Sequence, residues 1–303
     1  MNRVLICGSN GLVGQRLALL FGYQNNYEVL NTSHHRSFVL DNHLFDYTQL
    51  DITNKSDVKS LVGSFRPDVI INAAAMANVD QCERERESAW RVNAAGVEHL
   101  VEITRRIGAK LIHISTDYVF DGKNGPYREG DRVNPLSYYG KTKLAGENAI
   151  TTGDIRHAIV RTILIYGSGI NLKNNFALWV VNSLRAGLEI RCATDQQCSP
   201  TFVGDVAGAV LTIVERDAGG LFHICGSEMI NRFQFAMNTA TVFDLDRSLI
   251  HPCTSAELEQ LAPRPLVTGF VLDHARRTLA FEPLTTMEGL HHMRREIDHV
   301  TLN

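Results

Sequence analysis

Much that would assign these 303 residues to a specialised class is missing. The six cysteines (7, 82, 192, 198, 225 and 253) form no C-x-x-C and sit mostly inside apolar segments, as small core residues do. An even count in a long chain with no signal peptide gives little ground for expecting disulfides. Twelve histidines are scattered, apart from the adjacent pairs His34-His35 and His291-His292, and no H-E-x-x-H occurs. No metal site is therefore expected, and no ligand cluster calls for Mg. The net charge of −3 leaves no basic footprint, which argues against nucleic acid as the main partner. No h-region opens the chain and no apolar run is long enough to cross a bilayer, so no membrane association and a cytoplasmic location are expected. Internal repeats and low-complexity linkers are absent as well.

What is present is the composition of a soluble globular protein, 44% hydrophobic and 21% charged. Strands are predicted over Arg3–Cys7, Glu28–Asn31, Leu44–Tyr47, Val69–Ile71, Leu111–Ile114 and Ala158–Ile165. Helices are predicted over Leu12–Phe21, Lys55–Ser64, residues 83–107 and Tyr138–Ile150, with Thr53 or Asn54 capping the second. Apolar strands alternating with helices predict an α/β fold, a doubly wound, Rossmann-type parallel sheet covered on both faces. Past residue 166 the rhythm breaks down. Helices are expected over Phe176–Ala186, Asp205–Glu215, 231–242 and 286–297, strands near Leu188–Cys192 and Leu221–Ile224, and a loop at Pro263-Arg264-Pro265.

Two strings carry the chemistry. GSNGLVG (8–14) joins the first strand to the first helix, and YGKTK (139–143) opens a later one. A glycine loop between strand and helix lets backbone approach a pyrophosphate, which the helix N-terminus favours. Gly8, Gly11 and Gly14, with Asn10, Leu12 and Val13 between them, are the candidate dinucleotide loop. The expected division is a dinucleotide-binding domain over 1–165 and a mainly substrate-binding lobe over 166–303, some of whose elements return to the first. In Asn72-Ala73-Ala74-Ala75, small side chains at a strand tip let a flat cofactor lie against the backbone. No acid stands about twenty residues past the loop to hold a ribose 2′-OH. Ser33, His34 and Arg36 stand there instead and suit a 2′-phosphate, so NADPH is expected rather than NADH. Tyr139 and Lys143 fall one helical turn apart on the same face. Alone, that spacing more often describes an exposed helix face. Beside the glycine loop and the strand-tip Ser115-Thr116-Asp117 it reads as an oxidoreductase site. Tyr139 would protonate the oxygen of a reduced ketone, Lys143 would lower the phenol's pKa, and Thr116 would hold the carbonyl in line.

STDYVFDG (115–122), YGKTKLAGE (139–147), DQQCSPTF (195–202) and Arg264-Pro265 complete a recognisable pattern. From residue 3 to about 290 the chain resembles the extended short-chain dehydrogenase/reductases and, more narrowly, the dTDP-4-dehydrorhamnose reductases. The resemblance implies NADPH-dependent reduction of the C4 ketone of a nucleotide-activated 4-keto-6-deoxy sugar. It places catalytic roles on Thr116, Tyr139 and Lys143, and an adenine contact on Asp51, followed by Ile52. It puts the alanine-rich strand end at Ala73, Ala74 and Ala75, and substrate contacts at Asp117, Tyr118 and Arg264. The family's helix asparagine falls on Asn93, where a satisfied structural amide is an equal explanation. Sugar-nucleotide 4,6-dehydratases carry Glu where this chain has Tyr118, which argues against dehydration. One departure is Leu164, where these reductases commonly have tryptophan. The same motifs occur in the regulatory β-subunit of methionine adenosyltransferase, so a non-catalytic NADP-binding subunit is one alternative. A sugar-nucleotide epimerase of the same fold is another. A homodimer, with helix 83–107 as its surface, is a further expectation.

Overall fold

The protein is described by a computed structural model, which covers residues 2–40, 45–172 and 175–301. Seven strands form one sheet in the order Gly220–Ile224, Arg156–Thr162, Lys110–Thr116, Val69–Asn72, Asn2–Cys7, Tyr27–Ser33, Asp46–Gln49. Every neighbouring pair runs parallel. The chain begins mid-sheet, winds to one edge, then returns to Val69–Asn72 and builds the other half. The order reverses between Asn2–Cys7 and Val69–Asn72, which opens a crevice at their carboxyl ends.

Side-chain parity explains why these strands read as unbroken apolar runs. Val4, Ile6, Ile71, Ile112 and Val160 meet Leu17 and Phe21 of helix Leu12–Gly22 and Val206 and Val210 of helix Val203–Glu215. Leu5, Cys7, Ile70, Leu111 and Ile159 point the other way, onto Val58 and Val62 of Lys55–Phe65 and Val97 and Leu100 of Gly96–Ile107. A strand covered on both faces has no solvent side on which to place polar residues. Each such aliphatic side chain contributes on the order of 1.5–3 kcal/mol by leaving water.

Several expectations are corrected. The helix expected over 83–107 is broken: Val79–Arg84 ends at Glu85, and Arg86–Trp90 runs through a π-helical turn, Arg91–Ala95, into Gly96–Ile107. The turn carries Asn93, whose amide is fully buried and bonded to the Met76 backbone and Thr142, so the distortion serves a polar contact that periodicity does not register. The strand expected over Ala158–Ile165 stops at Thr162, because Leu164 turns left-handed (φ 38°) and Ile165–Tyr166 pairs with Thr201–Phe202. The third strand is Asp46–Gln49, two residues later than expected, and Leu44 lies outside the described residues. Asn54, rather than Thr53, caps the second helix through Ser56 and Asp57 N–H. Strand Ile250–Cys253 and helix Asp273–Leu279 were not expected.

Beyond residue 166 a smaller core gathers Val180, Leu184, Ile190, Cys192, Ala236, Ala240 and Ile250. Strand Gly220–Ile224 and helix Val203–Glu215 return to the large sheet. All six cysteines are buried thiols. Among the described residues, no helix is long and apolar enough to cross a membrane.

Candidate active site

The crevice is floored by the glycine loop. Gly8 has φ +80°, and a β-carbon there would lie 2.6 Å from the Ala74 nitrogen. At Gly14 it would lie 2.6 Å from Ser9 Cα. Neither position admits a side chain, and the loop lies flat against the strand end that carries Ala73, Ala74 and Ala75. The Gly8 and Ser9 N–H groups donate to Thr32 O at 2.8 and 2.9 Å, tying the loop to the second strand. Gly11 is the N-cap of helix Leu12–Gly22, with no side-chain capping bond and no acid in the first turn. Backbone close to the crevice, an N-terminus free of competing carboxylate and small residues opposite fit a dinucleotide's pyrophosphate.

Asn10 links this loop to the next turn: its Nδ2 donates to Ser37 O (2.9 Å) and its Oδ1 accepts from Val39 N (3.2 Å). His34 and Arg36 are exposed on that turn. Ser33 is buried, with its hydroxyl 2.8 Å from the Tyr47 hydroxyl and accepting from His35 N. Of the three residues expected at a 2′-phosphate, two face solvent and the third braces their turn. Asp51 is exposed and accepts from Thr53 N, while Ile52 is buried beside Gly96.

Helix Tyr138–Thr151 begins on Ser137, whose hydroxyl accepts from Gly140 N. Its inward face presents Tyr139, Lys143 and Glu147, all buried. Close approach needs glycine at 146, where a β-carbon would lie 2.6 Å from Asn93 O. Lys143 Nζ donates to Ile114 O (2.7 Å) and lies 3.1 Å from His113 Nε2. Burial lowers the Lys143 pKa to about 8, against the opposing pull of Glu147 and Cys82. Burial also pushes the Tyr139 phenol well above its ordinary value, while the Thr116 hydroxyl pulls it back by hydrogen bonding. That corrects the expectation of a depressed phenol: in the free site desolvation dominates, and Tyr139 keeps its proton. The Tyr118 ring stands edge-on to Tyr139, with centroids 5.6 Å apart.

Asp117 is buried beside Thr116, and burial raises its pKa to about 6 against hydrogen bonds from Thr268 and Thr116 and the charge of Arg232. Arg264 is held by Asp80 in a two-pronged pair (3.1 and 2.9 Å) and donates to Ala262 O. Thr116, Asp117, Tyr118, Tyr139 and Lys143 thus converge at one strand tip, and Arg264 is locked onto helix Val79–Arg84. The sequence reading missed Arg232, whose field reaches Asp117 and Tyr118 and whose guanidinium lies 5.3 Å over the Phe176 ring. Among the described residues no carboxylate pairs with it. Nothing in its local sequence signals this; only the fold brings it near Asp117. His113 did carry a signal, as a lone polar side chain in the apolar run Leu111–Ile114. Among the described residues no cluster of metal-ligating side chains occurs.

A parallel sheet with a glycine-rich first turn, a strand-tip threonine and a Tyr-x-x-x-Lys helix defines the extended short-chain dehydrogenase/reductase class. Within it, the family model described as the RmlD substrate binding domain matches residues 1–299, and the chain belongs to that family. A dTDP-4-dehydrorhamnose reductase of Aggregatibacter actinomycetemcomitans is 34% identical, over 97% of this chain and 99% of that protein. Methionine adenosyltransferase 2 subunit beta of Xenopus tropicalis is 33% identical, over 87% of this chain and 78% of that one. Among solved structures, dTDP-4-dehydrorhamnose reductase of Bacillus anthracis in complex with NADP superposes with a TM-score of 0.86. It is 30% identical and covers 98% of this chain and 100% of that one.

Proposed function

We propose that the chain is an NADPH-dependent dTDP-4-dehydrorhamnose reductase, which reduces the C4 ketone of a nucleotide-activated 4-keto-6-deoxy sugar. The observation that carries this reading is the convergence of Thr116, Tyr139 and Lys143 beside a glycine loop closed to side chains. Reductase relatives that align end to end with the chain support it.

Gly8, Gly11 and Gly14, with Asn10, Leu12 and Val13, would hold the pyrophosphate. His34 and Arg36 would meet the 2′-phosphate on a turn braced by Ser33. Asp51 and Ile52 would flank the adenine, and Ala73–Ala75 would give the cofactor a flat bed. When bound, the dinucleotide supplies the hydride that turns the C4 carbonyl into an alkoxide. Tyr139 gives its Oη proton to that oxygen, and burial keeps the proton on the phenol until then. Thr116 orients the carbonyl by hydrogen bonding, and Lys143 steadies the phenolate that remains. Asp117 and Tyr118 border the sugar. Arg232, without a carboxylate partner among the described residues, is the cation available to the substrate's diphosphate. Arg264 shapes the same wall through Asp80. Soluble nucleotide sugars as substrates imply a cytoplasmic location.

The methionine adenosyltransferase relative favours one alternative, a regulatory subunit that binds NADP without turnover. The test is loss of NADPH absorbance when purified protein meets dTDP-4-keto-6-deoxyglucose, with and without a 3,5-epimerase. Oxidation that requires the epimerase is the expected result. Tight NADPH binding without oxidation of any nucleotide sugar, and co-purification with another chain, would overturn the enzyme reading.

A further inference from the structure

His113 stands in the middle of strand Lys110–Thr116, fully buried, between Asn72 of the neighbouring strand and Lys143 of the catalytic helix. A polar ring at that depth needs two partners and has them. The direction of each hydrogen bond follows from the backbone outward. The Ala74 N–H can only donate, and Asn72 Oδ1 accepts it at 3.1 Å. Asn72 Nδ2 therefore faces His113 Nδ1, at 3.1 Å. An amide nitrogen only donates, so Nδ1 accepts and the ring proton sits on Nε2. Nε2–H then points at Lys143 Nζ, 3.1 Å away.

That contact is a hydrogen bond only when Lys143 offers a lone pair, as an uncharged amine that still donates to Ile114 O at 2.7 Å. An ammonium would set two donors face to face. To take the charge, His113 must move its proton to Nδ1 and Asn72 must turn its oxygen round, giving up Ala74. The four groups have two satisfied arrangements, and Ala74 belongs to one of them.

We propose that His113 is a positioning residue for Lys143: through Asn72 it ties the protonation state of the catalytic lysine to the strand end at Ala74, against which the cofactor lies. The proposal rests on the reductase reading for its consequence, but its geometry belongs to the free protein. Lys143 is otherwise faced by Tyr139 and Glu147 from its own helix and Cys82 from Val79–Arg84. Glu147 is occupied by Arg161, with Nη2 2.6 Å from Oε2, and by Ser115. His113 is thus the nearest group able to change its proton pattern. Burial and the nearby lysine both keep its ring neutral.

The first test uses the free wild-type protein with ¹⁵N-labelled histidine, assigning His113 by the resonance lost in His113→Gln, or in His113→Asn if Gln does not fold. The expected spectrum shows a neutral ring that is Nε2–H above about pH 8, where Lys143 is uncharged, and shifts to Nδ1–H below it. One tautomer held unchanged between about pH 6 and 9, or an imidazolium, overturns the proposal, whether or not the protein turns over. The second test is the pH profile of kcat. A glutamine carbonyl at this position can accept from an ammonium, so His113→Gln should move the alkaline limb up by about one pH unit, with KM for the nucleotide sugar unchanged. A profile superimposable on wild type overturns the proposal. If the wild type reduces no nucleotide sugar, the function reading fails, and the tautomer still decides the histidine's role.

Discussion

The sheet-bearing half and the lobe beyond residue 166 are built by different rules. In the sheet, the inner strands bury both faces beneath helices on each side, while the edge strand Asp46–Gln49 stays largely exposed. In the lobe, short strand pairs hold a core drawn from scattered segments: Gln197–Cys198 with Ile230–Asn231, and Ile190–Ala193 with Ile250–Cys253. The proposed reacting groups stand on the stiff half: Thr116 at a strand tip, Tyr139 and Lys143 on a helix packed against that strand. The groups that face them from the lobe, Arg232 and Thr268, sit at a helix start and in a loop. Under the proposed function, rigid elements would hold the chemistry and an irregular surface would select the substrate.

That contrast can be broken on either side. The largest effect is expected from Tyr139→Phe, which removes the proton donor: kcat should fall by about 10²–10⁴-fold with the NADPH Kd unchanged. Near-normal turnover would remove Tyr139 from the chemistry. Gly8→Ala forces a β-carbon into the Ala74 backbone at a left-handed position. It should weaken NADPH binding at least tenfold and cost about 1–3 kcal/mol of stability, read by fluorescence titration and thermal melting. On the lobe side, Arg264→Ala leaves Asp80 without its partner. KM for the nucleotide sugar should rise roughly tenfold while the NADPH Kd stays put; a matching loss of cofactor affinity would erase the division of labour.

The smallest effect concerns pH. Burial raises the Asp117 carboxyl from an ordinary 3.8 to about 6, so the folded protein holds that proton more tightly than the unfolded chain. Its contribution to stability therefore falls as pH rises through that window. Asp117→Asn removes the effect. The variant should match wild type near pH 4 and be more stable by about 1 kcal/mol at pH 7, after the loss of one accepted hydrogen bond. Denaturant melts at the two pH values measure the difference, and a gap of the same size at both would refute the assignment.

The same contrast governs what the sequence discloses. Leu5, Ile70 and Leu111 announce buried strands through composition alone, and GSNGLVG and YGKTK stand at element boundaries where local rules apply. Asn93 hides in a regular apolar pattern because its amide is satisfied by Met76 and Thr142, which are distant in sequence. Leu164 reads as strand because nothing local marks its left-handed turn. Arg232 and Asp80 are ordinary surface charges until the fold sets one beside Asp117 and the other on Arg264. The depressed phenol inferred from the Tyr–Lys spacing fails for a related reason: spacing reports which charges are near, and burial is not visible in it.

The most direct measurement follows the hydride. NADPH deuterated at both hydrogens of its nicotinamide C4, the epimerised dTDP-4-keto sugar and the purified protein should yield a product with deuterium at sugar C4, read by NMR. The initial rate of labelling should fall by about 10²–10⁴-fold with Tyr139→Phe although that variant still binds NADPH. A product without deuterium at C4, or an equal rate of labelling by the variant, would contradict the account.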